Sequence, residues 1–170
     1  PTLPFKIGNM IEIGGLIGKV EAITFTYTRL KTPDGKTLFV PNQTLFQTTI
    51  NNFHFTQTRQ VRVPVAIGYK DDLLKAKEVL KEIMVSDPRV VEKPAPTVYV
   101  VELGDNGILL SGRCWVANGK FLRLKSDITE KVKLRFDEEG ISIPFPQRDV
   151  HIYGRPGDLE SEHTERKSAQ

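Results

Sequence analysis

Side chains capable of acid–base, nucleophilic or metal chemistry are few and scattered in this sequence. The three histidines, His54, His151 and His163, stand singly among the 170 residues, without a second ligand at the short spacing that zinc sites use. The one cysteine, Cys114, alternates with apolar neighbours in a strand-like stretch, which is typical of a core thiol. The acidic run 137–139 directly precedes a glycine, which indicates a solvated helix end. The sequence therefore predicts no metal site and no enzyme.

Composition and cofactor motifs exclude further classes. The stretch "GGLIG" at 14–18 lacks the G-x-G-x-x-G spacing of a dinucleotide site, and we find no P-loop, so no cofactor is expected. The net charge of +3 is spread along the chain rather than concentrated in a basic stripe. A single cysteine makes an intramolecular disulfide impossible and favours a reducing compartment. No apolar run reaches the roughly 18 residues that a membrane-spanning helix needs.

Residues 1–58 show the pattern of short, turn-rich strands. The stretches "MIEIGG", "IGKVEAITFTYTRLKT", "KTLFVPN" and "QTTINNF" are separated by turn residues, and no helix-length period appears among them. Gly14-Gly15 and Gly18 suit bends or bulges, because glycine takes positive φ at low cost. In the turn 32–35, Pro33 presets φ, Asp34 can bond its own backbone, and Gly35 supplies left-handed geometry. We expect a small, bent β-barrel of the Sm-like or SH3-like type.

Residues 59–153 follow a different pattern. The stretch "VRVPVAIGY" predicts a strand that carries on one face the apolar residues Val61, Val63, Val65, Ile67 and Tyr69. Asp71 or Asp72 should cap a helix that ends before Pro88. A hairpin is expected at 105–107, followed by a helix from about 120 to 139 that ends at Gly140.

A final extended segment, "ISIPFPQRDVHIY", completes the order β-α-β-β-α-β. That order is typical of a ferredoxin-like sandwich, so the expected fold class is α+β with a barrel followed by this second domain. We assign no fixed structure to the polar tail 154–170, which lacks aromatic residues.

Two proline-containing motifs are interpreted as structural. Pro41 should end its strand because proline cannot donate to a ladder, and Asn42 can bond the backbone of the turn that follows. Pro144 and Pro146 restrict the residues before them to extended geometry and so stiffen the closing segment. Neither motif requires chemistry.

Nucleic-acid binding is the main alternative function, because small barrels and ferredoxin-like sheets both serve as binding platforms. Arg113 and Trp115 share a strand face and could stack on a base, whereas the RNP1 cluster of aromatics is absent. We interpret Trp115 as packing against a neighbouring domain or subunit.

The order of several short motifs resembles the small-conductance mechanosensitive channel (MscS) family over roughly residues 4–153. The matching elements are Pro4-Phe5, Gly8-Asn9, Gly15 to Gly18, Thr28 to Thr32, Asp34-Gly35, Val40-Pro41-Asn42 and the closing "GISIPFPQRDVHIY". Two departures are visible. Asn9 stands where the family usually has Asp, and the tail after Gly154 offers no strong strand for the family's bottom β-barrel.

The resemblance implies a place in a membrane channel. In that family a pore-lining helix precedes the Pro-Phe motif, and the soluble part forms a hollow cytoplasmic cage in a homoheptameric ring with side openings. The chain is therefore expected to be the cage without its membrane helices. The full-length protein would lie in the cell membrane and release ions and small solutes under tension or hypo-osmotic shock.

That expectation assigns roles to specific residues. An edge strand in "TTINNFHF" could be completed by a neighbouring subunit, with Phe53 and Phe55 as contacts, although both rings could instead fill their own barrel core. Arg59 and Arg62 fall at the waist between the two domains, where side openings are expected. One or both are predicted to face the solute path; the alternative is the outer surface or local ion pairs.

Overall fold

The computed structural model describes residues 2–150 of the chain and contains two antiparallel sheets and three α-helices. In chain order the elements are β1 (Met10–Ile13), β2 (Leu16–Ile23), β3 (Tyr27–Lys31), β4 (Thr37–Pro41), α1 (Asn42–Gln47), β5 (Ile50–Asn52), β6 (Thr58–Ile67), α2 (Leu73–Val85), β7 (Thr97–Leu103), β8 (Ile108–Ala117) and α3 (Phe121–Glu138). A 3₁₀ turn at Asn118–Lys120 leads into α3. The expected mixed α/β class is confirmed.

The first sheet has the strand order β4-β3-β2-β1-β5. Gly14 and Gly15, with φ of 53° and 82°, form the two-residue turn between β1 and β2, so that Ile13 pairs with Leu16. The core of this sheet comprises Phe5, Ile11, Ile13, Val20, Leu30 and Leu45. Because β4 and β5 stand at opposite ends of the strand order, both are edge strands. The finer barrel class stays a prediction, as does the domain division at residue 58.

Helix α1 is a feature that the sequence pattern missed. It begins directly after Pro41 and turns the chain from β4 towards β5. Its six residues bury one side chain, Leu45, in the first core. A helix of fewer than two turns cannot display the recurring apolar spacing by which longer helices are recognised.

The second sheet has the order β6-β8-β7, and α2 and α3 pack on one of its faces. Val61, Val63, Val65 and Ile67 of β6 are buried as predicted. The prediction that Tyr69 shares this face is wrong: Tyr69 lies beyond the end of β6 and is 55% exposed, and its hydroxyl donates to the carbonyl of Gly104 at 2.7 Å.

The helix signals of this half are confirmed. Asp72 caps α2, and its carboxylate accepts from the backbone N–H groups of Leu74 and Lys75 at 2.9 and 3.0 Å. After α3, Gly140 has a φ of 69°, the left-handed conformation that ends many helices. In the hairpin 104–107, the N–H of Gly104 donates to the carbonyl of Gly107 at 2.9 Å.

The predicted closing strand does not form across residues 141–150, so within the described chain the second unit is β-α-β-β-α. The segment crosses the end of the sheet: Ser142 bonds to Asp71, and the N–H of Gln147 donates to the side-chain oxygen of Asn106 at 2.9 Å. Two prolines lack the N–H that a ladder needs, which explains why the extended stretch pairs with no strand here. The rest of the predicted strand, 151–153, and the tail 154–170 lie outside the described residues.

Within residues 2–150, no helix combines the length and apolar character required to span a bilayer.

Candidate functional site at the junction of the two sheets

The Pro-Phe and Gly-Asn motifs build the start of the first sheet. Phe5 is 5% exposed in the first core, and the carbonyl of the exposed Pro4 accepts from the side-chain amide of Asn52 at 3.0 Å. Gly8 has a φ of 93°, and its N–H donates to the carbonyl of Val20 at 2.8 Å. Asn9 accepts through Oδ1 from the N–H of Lys6 at 3.0 Å, the turn bond that an aspartate would make.

Gly18 serves close packing rather than a bend. A Cβ at this position would lie 2.9 Å from the Cβ of Leu30 on the neighbouring strand. The irregularity in the pairing of β2 with β3 lies further along, between Val20 and Ala22. The expectation of a bend or bulge at Gly18 is therefore corrected to one of close contact between strands.

The turn between β3 and β4 forms as expected. Gly35 has a φ of 91°, and its N–H donates to the carbonyl of Thr32 at 3.0 Å. The Asp34 carboxylate accepts from the hydroxyl of Thr32 and pairs with Lys36 at 3.0 Å. The Thr32 hydroxyl and the Lys36 ammonium together lower the pKa of the Asp34 carboxyl from its ordinary value.

Asn42 bonds backward along the chain, not to the turn that follows it. Its side-chain amide donates to the carbonyls of Thr24 and Phe25 at 2.8 and 3.1 Å, and its oxygen accepts from the hydroxyl of Thr28 at 2.9 Å. The Thr28 side chain is fully buried. Asn42 thus fastens the β2–β3 loop to the start of α1, while Pro41 ends β4 as predicted.

A cleft lies where the first sheet meets the start of α3. Its lining residues are Gly8, Met10, Lys19, Phe53, His54, Arg59, Asn118, Gly119, Phe121 and Leu122. Two hydrogen bonds hold its walls: the N–H of Met10 donates to Nδ1 of His54 at 3.0 Å, and the Asn118 side chain donates to the carbonyl of Thr56. In the sequence His54 stands alone, because its hydrogen-bond partner is 44 residues away.

Arg59 occupies the centre of this junction. Its guanidinium carbon lies 4.4 Å from the centre of the Phe53 ring and 3.9 Å from that of Phe121. Burial lowers the pKa of Arg59 from its ordinary value. Arg59 therefore joins the end of the first sheet to α3.

Arg62 lies on the opposite face of β6 from Arg59. It is exposed, and its Nε donates to the side-chain oxygen of Gln60 at 3.1 Å. In the strand register it stands directly opposite Arg113, whose guanidinium lies 4.6 Å from the centre of the Tyr99 ring. The two predicted waist arginines therefore do not share a surface, and neither forms an ion pair within the described residues.

The aromatic contact candidates also occupy different environments. Phe53 is half-buried against Arg59, Phe55 is 80% exposed, and neither belongs to the core of the first sheet. Trp115 is half-buried on the same sheet face as Arg113, which stacks on Tyr99 and not on Trp115. The alternative that both phenylalanines fill their own barrel core does not describe this chain.

The described side chains considered for catalysis lie in the core or in surface ion pairs. Cys114 is fully buried in the second core, and burial together with the negative Asp87 raises the pKa of its thiol to about 11. Asp137 pairs with Lys133 at 2.6 Å on the surface of α3. In residues 2–150 no three side chains of the metal-ligating types lie close enough to hold an ion. His151 and His163 fall outside the described range.

A buried ion network went undetected in the sequence. Asp87 is 2% exposed, and its two carboxylate oxygens accept from the side chain of Arg89 at 2.9 and 2.7 Å. Arg89 also donates to Asp127 on α3 at 2.7 Å. The Arg89 guanidinium holds the pKa of the Asp87 carboxyl well below its usual range. The network ties the chain after α2 to α3.

Two family models match consecutive parts of the chain. Residues 2–54 match the mechanosensitive ion channel β-domain, and residues 61–143 match the C-terminal domain of MscS-type mechanosensitive ion channels. An MscS family protein of Synechocystis sp. is 36% identical over 148 residues, covering 87% of this chain and 50% of that protein. The small-conductance mechanosensitive channel of Edwardsiella ictaluri is 31% identical over 150 residues, covering 88% and 52%. The chain thus spans about half the length of these relatives.

Solved structures agree with the sequence matches. The crystal structure of Helicobacter pylori MscS in a closed state superposes with a TM-score of 0.83 at 27% identity, covering 89% of this chain and 60% of that chain. The cryo-EM structure of Arabidopsis thaliana MSL1 superposes with a TM-score of 0.70 at 21% identity over 82% of this chain, and it supports the fold alone. With both domains matched in order, the chain belongs to the MscS family of mechanosensitive ion channels.

Proposed function

We propose that this chain is the cytoplasmic vestibule of a mechanosensitive channel that releases ions and small solutes when membrane tension rises. The observation that carries the proposal is the consecutive match of both family domains in one chain, together with the superposition on H. pylori MscS. No feature of the described residues favours the nucleic-acid-binding alternative over a channel part.

The proposed assembly is a homo-oligomeric ring, a heptamer by analogy with the family. Strand β5 offers an unpaired edge, and Phe55, which follows it, is 80% exposed. Unpaired edges and exposed aromatic rings are both suited to contact with a second copy. Trp115 on the outer face of the second sheet is a further proposed contact.

Arg62 is the proposed residue of the solute path, because it is exposed and, among residues 2–150, its side chain bonds only to Gln60. Arg59 is less suited to this role since its guanidinium lies between two rings. A positive side chain beside a water-filled opening raises the local concentration of anions over roughly a Debye length, about 8 Å at physiological salt.

The proposed function can be tested in a bacterial strain that lacks its own mechanosensitive channels. We expect the full-length protein that carries this chain to restore survival after hypo-osmotic shock and to give tension-activated currents in membrane patches. Absence of tension-activated current from protein that is present in the membrane would contradict the proposal.

The ion selectivity of the channel provides a separate test of the proposed solute path. Arg62→Glu in the full-length channel should shift the reversal potential in asymmetric salt towards cation preference and leave the opening tension nearly unchanged. Lys81→Glu makes the same charge change on the exposed surface of α2 and is the matched control. Equal reversal potentials in the two variants would exclude Arg62 from the path.

A further inference from the structure

The junction cleft combines basic side chains with an absence of acidic ones. Lys19, His54 and Arg59 all line it, and none of its lining residues in the described chain is an aspartate or glutamate. Lys19 makes no side-chain hydrogen bond or ion pair within residues 2–150. Nδ1 of His54 accepts from the N–H of Met10, so Nε2 is the ring nitrogen that remains able to donate.

Arg59 is held in a geometry that leaves its donors unused. Its guanidinium carbon lies 4.4 Å from the centre of the Phe53 ring and 3.9 Å from that of Phe121, and a guanidinium carries five N–H donors. Among the described residues, no acceptor forms a hydrogen bond with this guanidinium. Contact with two rings restricts the motion of the group before any ligand arrives, which reduces the entropy cost of binding an oxyanion.

The start of α3 adds to the same wall. Gly119, Phe121 and Leu122 line the cleft, and the first turn of this 18-residue helix contains neither an acidic residue nor a side-chain cap. Although the N–H of Phe121 already donates to the carbonyl of Asn118, the positive end of the helix dipole lies beside the basic groups without a carboxylate from the first turn.

We propose that this cleft binds a small oxyanion of the phosphate class, held by the Arg59 guanidinium and by Lys19, with His54 as a further donor. The proposal does not rest on channel activity, because it concerns only the charges and donors of the chain itself. An aspartate or glutamate of a second copy could supply the same oxyanion chemistry, and the experiment separates the two sources.

The test uses the 170-residue chain and two probes, inorganic phosphate and pyrophosphate, at constant ionic strength. We expect saturable heat of binding by calorimetry, with amide shifts confined to the cleft residues in two-dimensional NMR. Lys19→Gln and Arg59→Gln should each weaken binding about tenfold. Arg62→Gln removes the same charge from the opposite face of the same strand and should leave the affinity unchanged.

Folding and specificity are controlled within the same series. Arg59→Gln also loses the contacts with two aromatic rings and could lower the melting temperature. Lys19→Gln removes no bond within the described chain. If Arg59→Gln has a lower melting temperature than the parent chain, the result for Lys19→Gln decides the test. Unsaturable heat, or equal affinity in all three variants, would mean an adventitious ion only and would overturn the proposal. Light scattering of the same samples reports self-association. If phosphate binding is lost as the chain self-associates, the cleft is occupied by a carboxylate of a second copy, and the proposal is overturned.

Discussion

At the residue scale, Asp87 is the one charged side chain that is buried among residues 2–150. Its ionised form is stabilised first by the hydrogen bonds from Arg89 and further by the charge of Lys131, whose ammonium lies 3.5 Å away. Removing one partner of such a network leaves the other charge desolvated and uncompensated, so the cost exceeds that of an exposed pair.

We expect Asp87→Asn to lower the free energy of unfolding at neutral pH by about 2 to 3 kcal/mol. Because the folded-state pKa of Asp87 is depressed, its contribution is fully present above the unfolded-state value of about 4 and is lost as pH falls below it. The variant should therefore lose less stability than the parent between pH 4 and pH 2, as measured by urea unfolding at each pH. An equal loss of unfolding free energy between pH 4 and pH 2 in the two proteins would contradict the role given to Asp87.

Cys114 gives a second prediction at this scale. Its thiol is fully buried with a pKa raised to about 11, so at pH 8 the native protein presents almost no thiolate. Ellman's reagent should react with the unfolded chain in guanidinium chloride and only very slowly with the folded chain. Comparable rates in both conditions would show that the second core opens readily.

At the scale of elements, turns and caps decide where strands and helices end. Gly35 closes the β3–β4 turn in the left-handed region, Asp72 caps α2, and Asn42 ties the β2–β3 loop to the start of α1. Each of these contacts satisfies backbone groups that would otherwise lack a partner at an element end.

Gly35→Val should lower the free energy of unfolding by about 1 to 2 kcal/mol, because a β-branched residue is strained at a φ of 91°. A Cβ at this position meets nothing within 4 Å, so the loss would come from the backbone alone. Gly119→Val is the matched control, since its Cβ also meets no atom within 4 Å and its φ is not positive. An equal melting temperature for Gly35→Val and the parent chain would refute the turn assignment.

At the scale of the whole molecule, Arg59 and its two rings connect the first sheet to α3 and so couple the two halves of the chain. The free edges of the first sheet and the exposed Phe55 are the surfaces on which the proposed ring would form. A ring of identical subunits requires one surface of each copy to meet a different surface of the next.

Light scattering of the purified chain should show a monomer at low concentration and a ring-sized species as concentration rises, because assembly without membrane helices has no tether to raise the local concentration. Phe55→Ser should shift this equilibrium towards the monomer without lowering the melting temperature, since Phe55 is 80% exposed and lies outside the core of the first sheet. A strictly dimeric species with two-fold symmetry would contradict the ring.

Local rules made much of this chain predictable from its sequence. Glycine and proline positions, the Asp72 cap, the hairpin at 105–107 and the alternation of β6 all depend on residues close together in the chain. The burial of Cys114 followed from the same alternation. The ordered motifs of the channel family were equally readable, because they record those turns and strands in sequence.

Only the tertiary structure decided the contacts between distant residues. Asp87 meets Asp127 through Arg89, His54 accepts from Met10, and the closing segment crosses the sheet end instead of pairing. Arg59 lies between Phe53 and Phe121, which stand 68 positions apart in the sequence. Such contacts depend on how the two sheets and the helices pack, and packing geometry is a property of the whole fold that no local spacing encodes.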